Sequence, residues 1–233
     1  MDINFQPIGI IHSPFKEKFA VPRQPGLAKS IEAELELLPP YNQQETLRGL
    51  EDFSHIWLIF LFHQNLKRNW HTTVRPPRLG GNKKVGVFAS RSPFRPNPDG
   101  LSAVELIEIV YQKPRLFLRL RGTDLVDGTP VLDIKPYLPY TDSLPSAKSA
   151  FAAEEPVSIP VAFSPEAESD LEILRGEYPR LRQSIIEILA QDPRPAYRGK
   201  KTDSNSYGVR IYNLNLKWEM NGEIALVRAI SPI

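Results

Sequence analysis

The chain has 233 residues, 41% of them hydrophobic and 24% charged, with 29 Lys and Arg against 27 Asp and Glu for a net charge of +2. That is the composition of a globular protein long enough for one large or two modest cores. With no cysteine, disulfides, thiolate metal sites and a cysteine nucleophile are excluded, and the 4 histidines (His12, His55, His63 and His71) lack zinc spacing. No apolar run approaches the roughly 20 residues that span a bilayer, and the opening MDINFQPIGI has no basic and then apolar leader. The expectation is a cytoplasmic protein that uses neither a metal nor a membrane.

Short apolar runs at 8–11, 32–38, 55–62, 85–89, 103–110, 116–121 and 131–134 are separated by turn residues and by many of the 23 prolines. Several alternate with period two, as Leu116, Leu118 and Leu120 do against Phe117, Arg119 and Arg121. Such strands predict a closed or nearly closed antiparallel barrel, with one short helix at 41–49. The Pro-, Ser- and Ala-rich stretch at 138–156 reads as a connecting segment. Ser164-Pro165-Glu166 then signals a helix start, with Ala167, Leu171 and Leu174 on one face and Gly176 as its stop. A second helix is predicted from Pro179, carrying Leu181, Ile185 and Ile188, followed by strand runs 207–220 and 223–230 joined at Asn221-Gly222. The predicted fold is therefore mainly β: a closed or nearly closed antiparallel barrel, a linker at 146–156, and a small α+β unit of two helices and a hairpin over 157–233.

Charge is distributed unevenly. Lys67, Arg68, Arg75, Arg78, Lys83, Lys84, Arg91 and Arg95 follow one another without an intervening acid, and Trp70, Phe88 and Phe94 lie among them. A one-sign run with interleaved aromatics suits a polyanion with stackable bases, although a solvated face is the ordinary alternative. Dinucleotide, P-loop and nucleophile-elbow motifs are all absent.

Four ordered segments carry a resemblance. They are Lys16-Glu17-Lys18-Phe19-Ala20-Val21-Pro22-Arg23-Gln24-Pro25-Gly26, Phe62-His63-Gln64, the stretch from Arg75-Pro76-Pro77-Arg78 to Arg91-Ser92-Pro93-Phe94-Arg95-Pro96-Asn97-Pro98, and Asp127-Gly128-Thr129-Pro130-Val131-Leu132-Asp133-Ile134-Lys135-Pro136-Tyr137. Together they closely resemble the TsaA-like family, also called YaeB-like or TrmO. Asp192-Pro193-Arg194-Pro195-Ala196-Tyr197-Arg198 is similar to the bacterial form. The resemblance spans about residues 5–145 and implies a single-sheet antiparallel β-barrel over them, a homodimeric methyltransferase that binds S-adenosylmethionine and methylates N6 of threonylcarbamoyladenosine, immediately 3′ of a tRNA anticodon.

It also implies site residues. Gln24, Pro25, Gly26, His63, Gln64, Arg91, Leu101, Val131, Leu132, Asp133 and Ile134 match positions that hold the cofactor. Physically, Gln24-Pro25-Gly26 is a turn that brings backbone close to a ligand. His63-Gln64 ends an apolar strand at the barrel rim. Arg91 and Arg95 stand in a proline-stiffened loop, where one can meet the cofactor's carboxylate and the other an RNA phosphate or the threonyl carboxylate. Asp133 and His63 are the candidate proton acceptors, with a surface ion pair to Lys135 as the ordinary alternative for Asp133. Arg194, Tyr197 and Arg198 are candidate tRNA contacts, with Asp192 capping or orienting Arg194, against an interdomain staple in which Tyr197 is buried against the barrel. Two rival functions remain at this level: a same-fold methyltransferase of a small molecule, and a non-catalytic RNA-binding protein. Calorimetry with S-adenosylmethionine alone separates the latter from a methyltransferase.

Overall fold

The computed structural model describes residues 4–195 and 205–233. Its strands are β1 (Gly9–His12), β2 (Glu32–Leu37), β3 (His55–Leu61), β4 (Thr73–Val74), β5 (Val85–Gly86), β6 (Asp99–Gln112), β7 (Arg115–Arg121) and β8 (Pro130–Pro136). After a one-turn helix, α1 (Pro139–Asp142), come β9 (Val161–Phe163), α2 (Pro165–Leu174), α3 (Leu181–Leu189), β10 (Ser206–Ile211), β11 (Leu214–Asn221) and β12 (Ile224–Pro232). Strands β1-β2-β7-β6-β3-β8 close a barrel in which every pairing is antiparallel. The predicted barrel is therefore present.

Period-two alternation builds its core. Ala33, Leu35 and Leu37 of β2, Ile56, Leu58 and Phe60 of β3, and Leu116, Leu118 and Leu120 of β7 all point inward and are buried. Their outward neighbours form an ion-pair ladder. Arg121 bonds Glu105 at 2.9 Å and reaches Glu32 at 3.3 Å, Arg119 pairs with Glu34 and Glu108, and Arg115 meets Glu36 at 2.7 Å. Glu36 also accepts from His12 Nε2 at 2.7 Å, and the Arg115 guanidinium lies 4.7 Å from the ring centre of Phe117.

The C-terminal unit departs from the predicted hairpin. The run 207–220 is broken at Tyr212, which has φ 54°, so it forms the two strands β10 and β11. With β12, and β9 paired parallel to it, the sheet is four-stranded in the order β10-β11-β12-β9. Each arm of this tight hairpin alternates, but the buried positions change phase from Val209 and Ile211 to Leu214 and Leu216 across the turn. The helix start is as predicted: Ser164 Oγ accepts from the Ala167 amide at 3.2 Å. Two other expectations change. The segment 85–89 pairs only at β5 and then becomes a 3-10 turn, and 41–49 holds a 3-10 turn at Gln44–Leu47 in place of a helix. The connecting stretch begins in a docked state, because Asp142 accepts from Trp57 Nε1 at 2.8 Å and from the Leu138 amide at 2.9 Å.

The segment 13–31, between β1 and β2, leaves the barrel and enters the second core. Phe15, Ala20, Ala28 and Ile31 are buried with Leu181, Ile185 and Trp218 of the C-terminal unit. Polar ties reinforce this: Ser30 donates to Glu187 at 2.7 Å, the Tyr212 amide to Pro14 O at 2.9 Å, and Arg180 pairs with Glu32 at 2.5 Å. Its other side is zipped to the β7–β8 loop through Gly26 N to Gly122 O at 2.8 Å, Gly122 N to Ile31 O at 3.0 Å, and Ser13 Oγ to Leu125 O at 2.7 Å.

Two outcomes follow from this packing. Phe15→Ala removes a ring that is 1% exposed, and urea unfolding is expected to show a loss of about 3–5 kcal/mol. The Arg115 guanidinium, and secondarily His12, hold the Glu36 carboxyl at about 2 against an ordinary 4.5. A lowered folded value stabilises fully above the unfolded one and is lost as pH falls through the folded one. Glu36→Gln is therefore expected to lower the urea midpoint at neutral pH, with the deficit vanishing as both proteins approach about pH 2.

Candidate functional site

The rim of the barrel beside the 13–31 segment gathers several of the residues singled out from sequence. The turn Gln24-Pro25-Gly26 is fixed by the Gly26–Gly122 bond, and both glycines have positive φ (78° and 72°). A Cβ on Gly122 would lie 3.2 Å from Gly26 Cα, so this close approach of two backbones requires glycine. Gln24 Oε1 accepts from Arg91 Nη1 at 2.5 Å, which joins residues far apart in sequence. Arg91 is otherwise exposed.

Segment 63–98 projects between β3 and β6, closed at its base by the Phe62 amide donating to Pro98 O at 2.8 Å. His63-Gln64-Asn65 forms a 3-10 turn at the end of β3. Lys18, from segment 13–31, donates to the buried Asn65 side chain and to Gln64 O at 3.3 Å. Burial, and then the Lys18 charge, push the His63 imidazole below its usual value and hold it neutral. Lys18 itself is lowered by burial and by Arg68.

The aromatics of the basic run separate into two kinds. Trp70 and Phe88 are 51% and 77% exposed. Phe94, expected as a stacking platform, is instead engaged internally: Arg68 lies 5.8 Å and His71 5.4 Å from its ring centre. Arg95 also turns inward, donating to Ser90 O at 3.1 Å. Pro93, Pro96 and Pro98 stiffen this loop, and Arg95 clamps it while Arg91 faces out.

The remaining residues lie on barrel strands β6 and β8, with Leu101 and Asp133 on the outer face. Leu101 pairs with Ile59, and Ile59 with Asp133, in one row across β6, β3 and β8. Leu101 is 51% exposed. The register shifts beside Leu132, a bulge that re-aims this stretch, while Val131 packs into the barrel core and Ile134 against it. Asp133 sits in an ion pair with Lys135 at 2.9 Å, its side chain 48% exposed. Among the described residues, no hydrogen bond or ion pair links Val131, Leu132, Asp133 or Ile134 to Gln24, His63 or Arg91.

Arg194 departs from the expectation of an exposed phosphate contact. It is 4% exposed, and its guanidinium grips Asp192 at 2.7 and 2.8 Å, so Asp192 orients Arg194 as expected while the pair is closed off from solvent. Tyr197 and Arg198 lie outside the described residues.

One functional group was missed. Asp124, on the β7–β8 loop, accepts from the buried Ser102 hydroxyl at 2.6 Å. Burial pushes its carboxyl up to about 6, opposed by the Ser102 hydroxyl, its own backbone amide and the Arg91 charge. Sequence carried no local signal for it: β7 ends at Arg121, Gly122 with φ 72° breaks the alternation, and it is Leu125 that returns to the barrel core. Two hollows of the surface lie elsewhere, one beside Arg78 and Phe151, the other lined by His55 and Tyr137. The candidate site is thus an open rim with a cationic wall, an internal acid and a glycine-lined backbone.

Both halves of the chain are similar to known proteins. Residues 10–143 match the tRNA-methyltransferase O N-terminal domain, and residues 156–233 match the TrmO C-terminal domain. A tRNA (adenine(37)-N6)-methyltransferase of Escherichia coli (strain K12) is 52% identical over 229 residues, covering 98% of this chain and 97% of that protein. A putative S-adenosylmethionine-dependent methyltransferase, RcsF, of Pseudomonas aeruginosa is 49% identical, covering 94% of this chain and 93% of its own. The crystal structure of TrmO from Pseudomonas aeruginosa superposes with a TM-score of 0.81 at 39% identity, covering 99% of each chain. With both halves matched and near-full-length relatives at this identity, the chain belongs to the tRNA-methyltransferase O family.

Proposed function

We propose that this protein transfers a methyl group from S-adenosylmethionine to N6 of adenosine 37 in tRNA, with the threonylcarbamoylated base as its substrate. The observation that carries this reading is the rim where exposed Arg91 meets Gln24, beside a basic projection bearing exposed Trp70 and Phe88. Near-full-length identity to a tRNA (adenine(37)-N6)-methyltransferase supports the reaction.

The donor set suits the methyl donor. Arg91 presents a fork for its carboxylate, Gln24 an amide, and Pro25-Gly26 and Gln64 backbone that a flat adenosine can approach. The neutral His63 adds no charge that would repel a sulfonium. S-adenosylmethionine supplies a methyl group activated by a positive sulfur, so the chain must chiefly position the two reactants and receive one proton. The outer row with Leu101 and Asp133, and the bulged strand from Val131 to Ile134 that carries it, join the cofactor set under this proposal. In an open, one-chain rim, the exposed Leu101 fits a homodimer that brings a second wall to the site. The C-terminal unit 157–233 is assigned an assisting role in tRNA binding, with Tyr197 and Arg198 touching RNA and Arg95 and Arg194 fixing the segments that do. A tRNA substrate implies residence in the cytoplasm.

Arg91→Ala is expected to weaken S-adenosylmethionine binding by about 1–2 kcal/mol, roughly tenfold, measured by calorimetry. Thermal unfolding without the cofactor is expected to stay where it is. Lys83→Ala with Lys84→Ala is expected to weaken tRNA binding and to flatten its dependence on salt by about one unit for each phosphate that is no longer neutralised. Filter binding across a salt series checks this, with cofactor affinity unchanged as the control. A chain that binds RNA but no S-adenosylmethionine would contradict the enzymatic reading.

A further inference from the structure

The carboxyl of Asp124 lies at the one place where three parts of the rim converge. Its loop is zipped to segment 13–31 through Gly122 and Leu125. Ser102, adjacent to Leu101 on β6, donates to its Oδ1 at 2.6 Å, and the Arg91 charge acts on it from the proline-rich loop. Asp127, farther along the same loop, is occupied by the Ser13 amide at 2.9 Å and Lys16 at 2.9 Å. Asp124, in contrast, forms no ion pair among the described residues. An acid drawn inward at such a rim, held by one hydroxyl and left without a countercharge of its own, is costly to a fold unless it serves the site.

We propose that Asp124 is the proton acceptor of the methyl transfer, with Ser102 holding its carboxylate in place. The inference rests on the reading of the chain as an N6-methyltransferase. Asp124 takes the N6 proton as the nitrogen forms its bond to the methyl carbon, while the electron pair of the broken C–S bond stays on the departing thioether sulfur. A positive sulfonium and a negative carboxylate thereby become a neutral thioether and a neutral carboxylic acid. The transferred proton lies between an adenine ring and a carbamoyl carbonyl, which makes it more acidic than that of a simple exocyclic amine. A carboxylate is then base enough.

The other two candidates fit less well. Asp133 is exposed and paired with Lys135 at 2.9 Å on the outer face. His63 is a weakened base, because burial and Lys18 both oppose its protonation. Asp124, raised to about 6 chiefly by burial, is ionised at neutral pH yet far better matched to accept a proton than an ordinary surface acid. The groups that set this value are the Ser102 hydroxyl from β6, the loop's own backbone and Arg91.

The test is single-turnover methylation of tRNA carrying threonylcarbamoyladenosine across the acidic to neutral range, beside calorimetry with S-adenosylmethionine. The wild-type rate is expected to fall on the acid side with a midpoint near the carboxyl's value of about 6. Asp124→Asn is expected to slow the step by about a hundredfold or more while cofactor affinity holds. Ser102→Ala, which removes only the hydroxyl that favours the charged carboxylate, is expected to stay folded and to move the acid limb to higher pH. A wild-type rate in Asp124→Asn, or an unmoved limb in Ser102→Ala, overturns the assignment. Cofactor affinity that falls in proportion to rate also overturns it, by making Asp124 a ligand of the donor. A wild-type protein that binds the cofactor but leaves this tRNA unmethylated overturns the enzymatic reading itself, and the assignment falls with it.

Discussion

Burial of Phe15 and Ile31 in a core that otherwise belongs to the C-terminal unit is the constraint on which the rest of the molecule turns. Both ends of segment 13–31 are fixed to barrel strands, so inserting its apolar side chains elsewhere stretches it across the junction. The turn Gln24-Pro25-Gly26 is consequently supported from two sides: by the second core beneath it and by the β7–β8 loop alongside. A turn at the end of a free loop would have to be ordered by its ligand at a cost of about 1–2 kcal/mol per residue. Here the two cores have already met that cost. The C-terminal unit therefore supports the rim from beneath through its core.

The same junction arranges the electrostatics. Lys18, Arg91 and Arg68 surround the rim with positive charge, which attracts a polyanion and the carboxylate of an amino-acid moiety alike. Within that field the structure keeps one acid, Asp124, and one neutral imidazole, His63. The ladder of Glu and Arg on β2, β6 and β7 belongs to a different part of the barrel, and its further partners are His12 and Arg180, so the charges there stabilise the wall and leave the rim to its own chemistry.

Much of this was legible in the residues. Alternation in the apolar runs marks the barrel strands, and Ser164-Pro165 marks the start of α2, because both are local rules with a fixed period or a fixed geometry. The rest failed for stated reasons. Each arm of the β10–β11 hairpin alternates, but the buried positions step from Val209 and Ile211 to Leu214 and Leu216, a change of phase across the two-residue turn that a continuous apolar run hides. Nothing local in Phe15 or Ile31 says which of two cores will receive them. Arg194 reads as a phosphate contact because sequence shows its charge beside Asp192 but not the burial that closes the pair off from solvent. Asp133 draws attention from within a motif, whereas Asp124 lies just outside it and is marked by no local pattern.

Native-state hydrogen exchange tests the shared-core account most directly. Ile185→Ala opens a cavity beneath segment 13–31 without touching the rim, since Ile185 is fully buried on α3. If the turn is held through the second core, the Gly26 amide, bonded to Gly122 O at 2.8 Å, will lose protection in step with the amides of α3. Amides of β7 around Leu118 will keep theirs. A Gly26 amide that stays as protected as in the wild type while α3 exchanges faster would show that the barrel alone holds the turn, and would contradict the account.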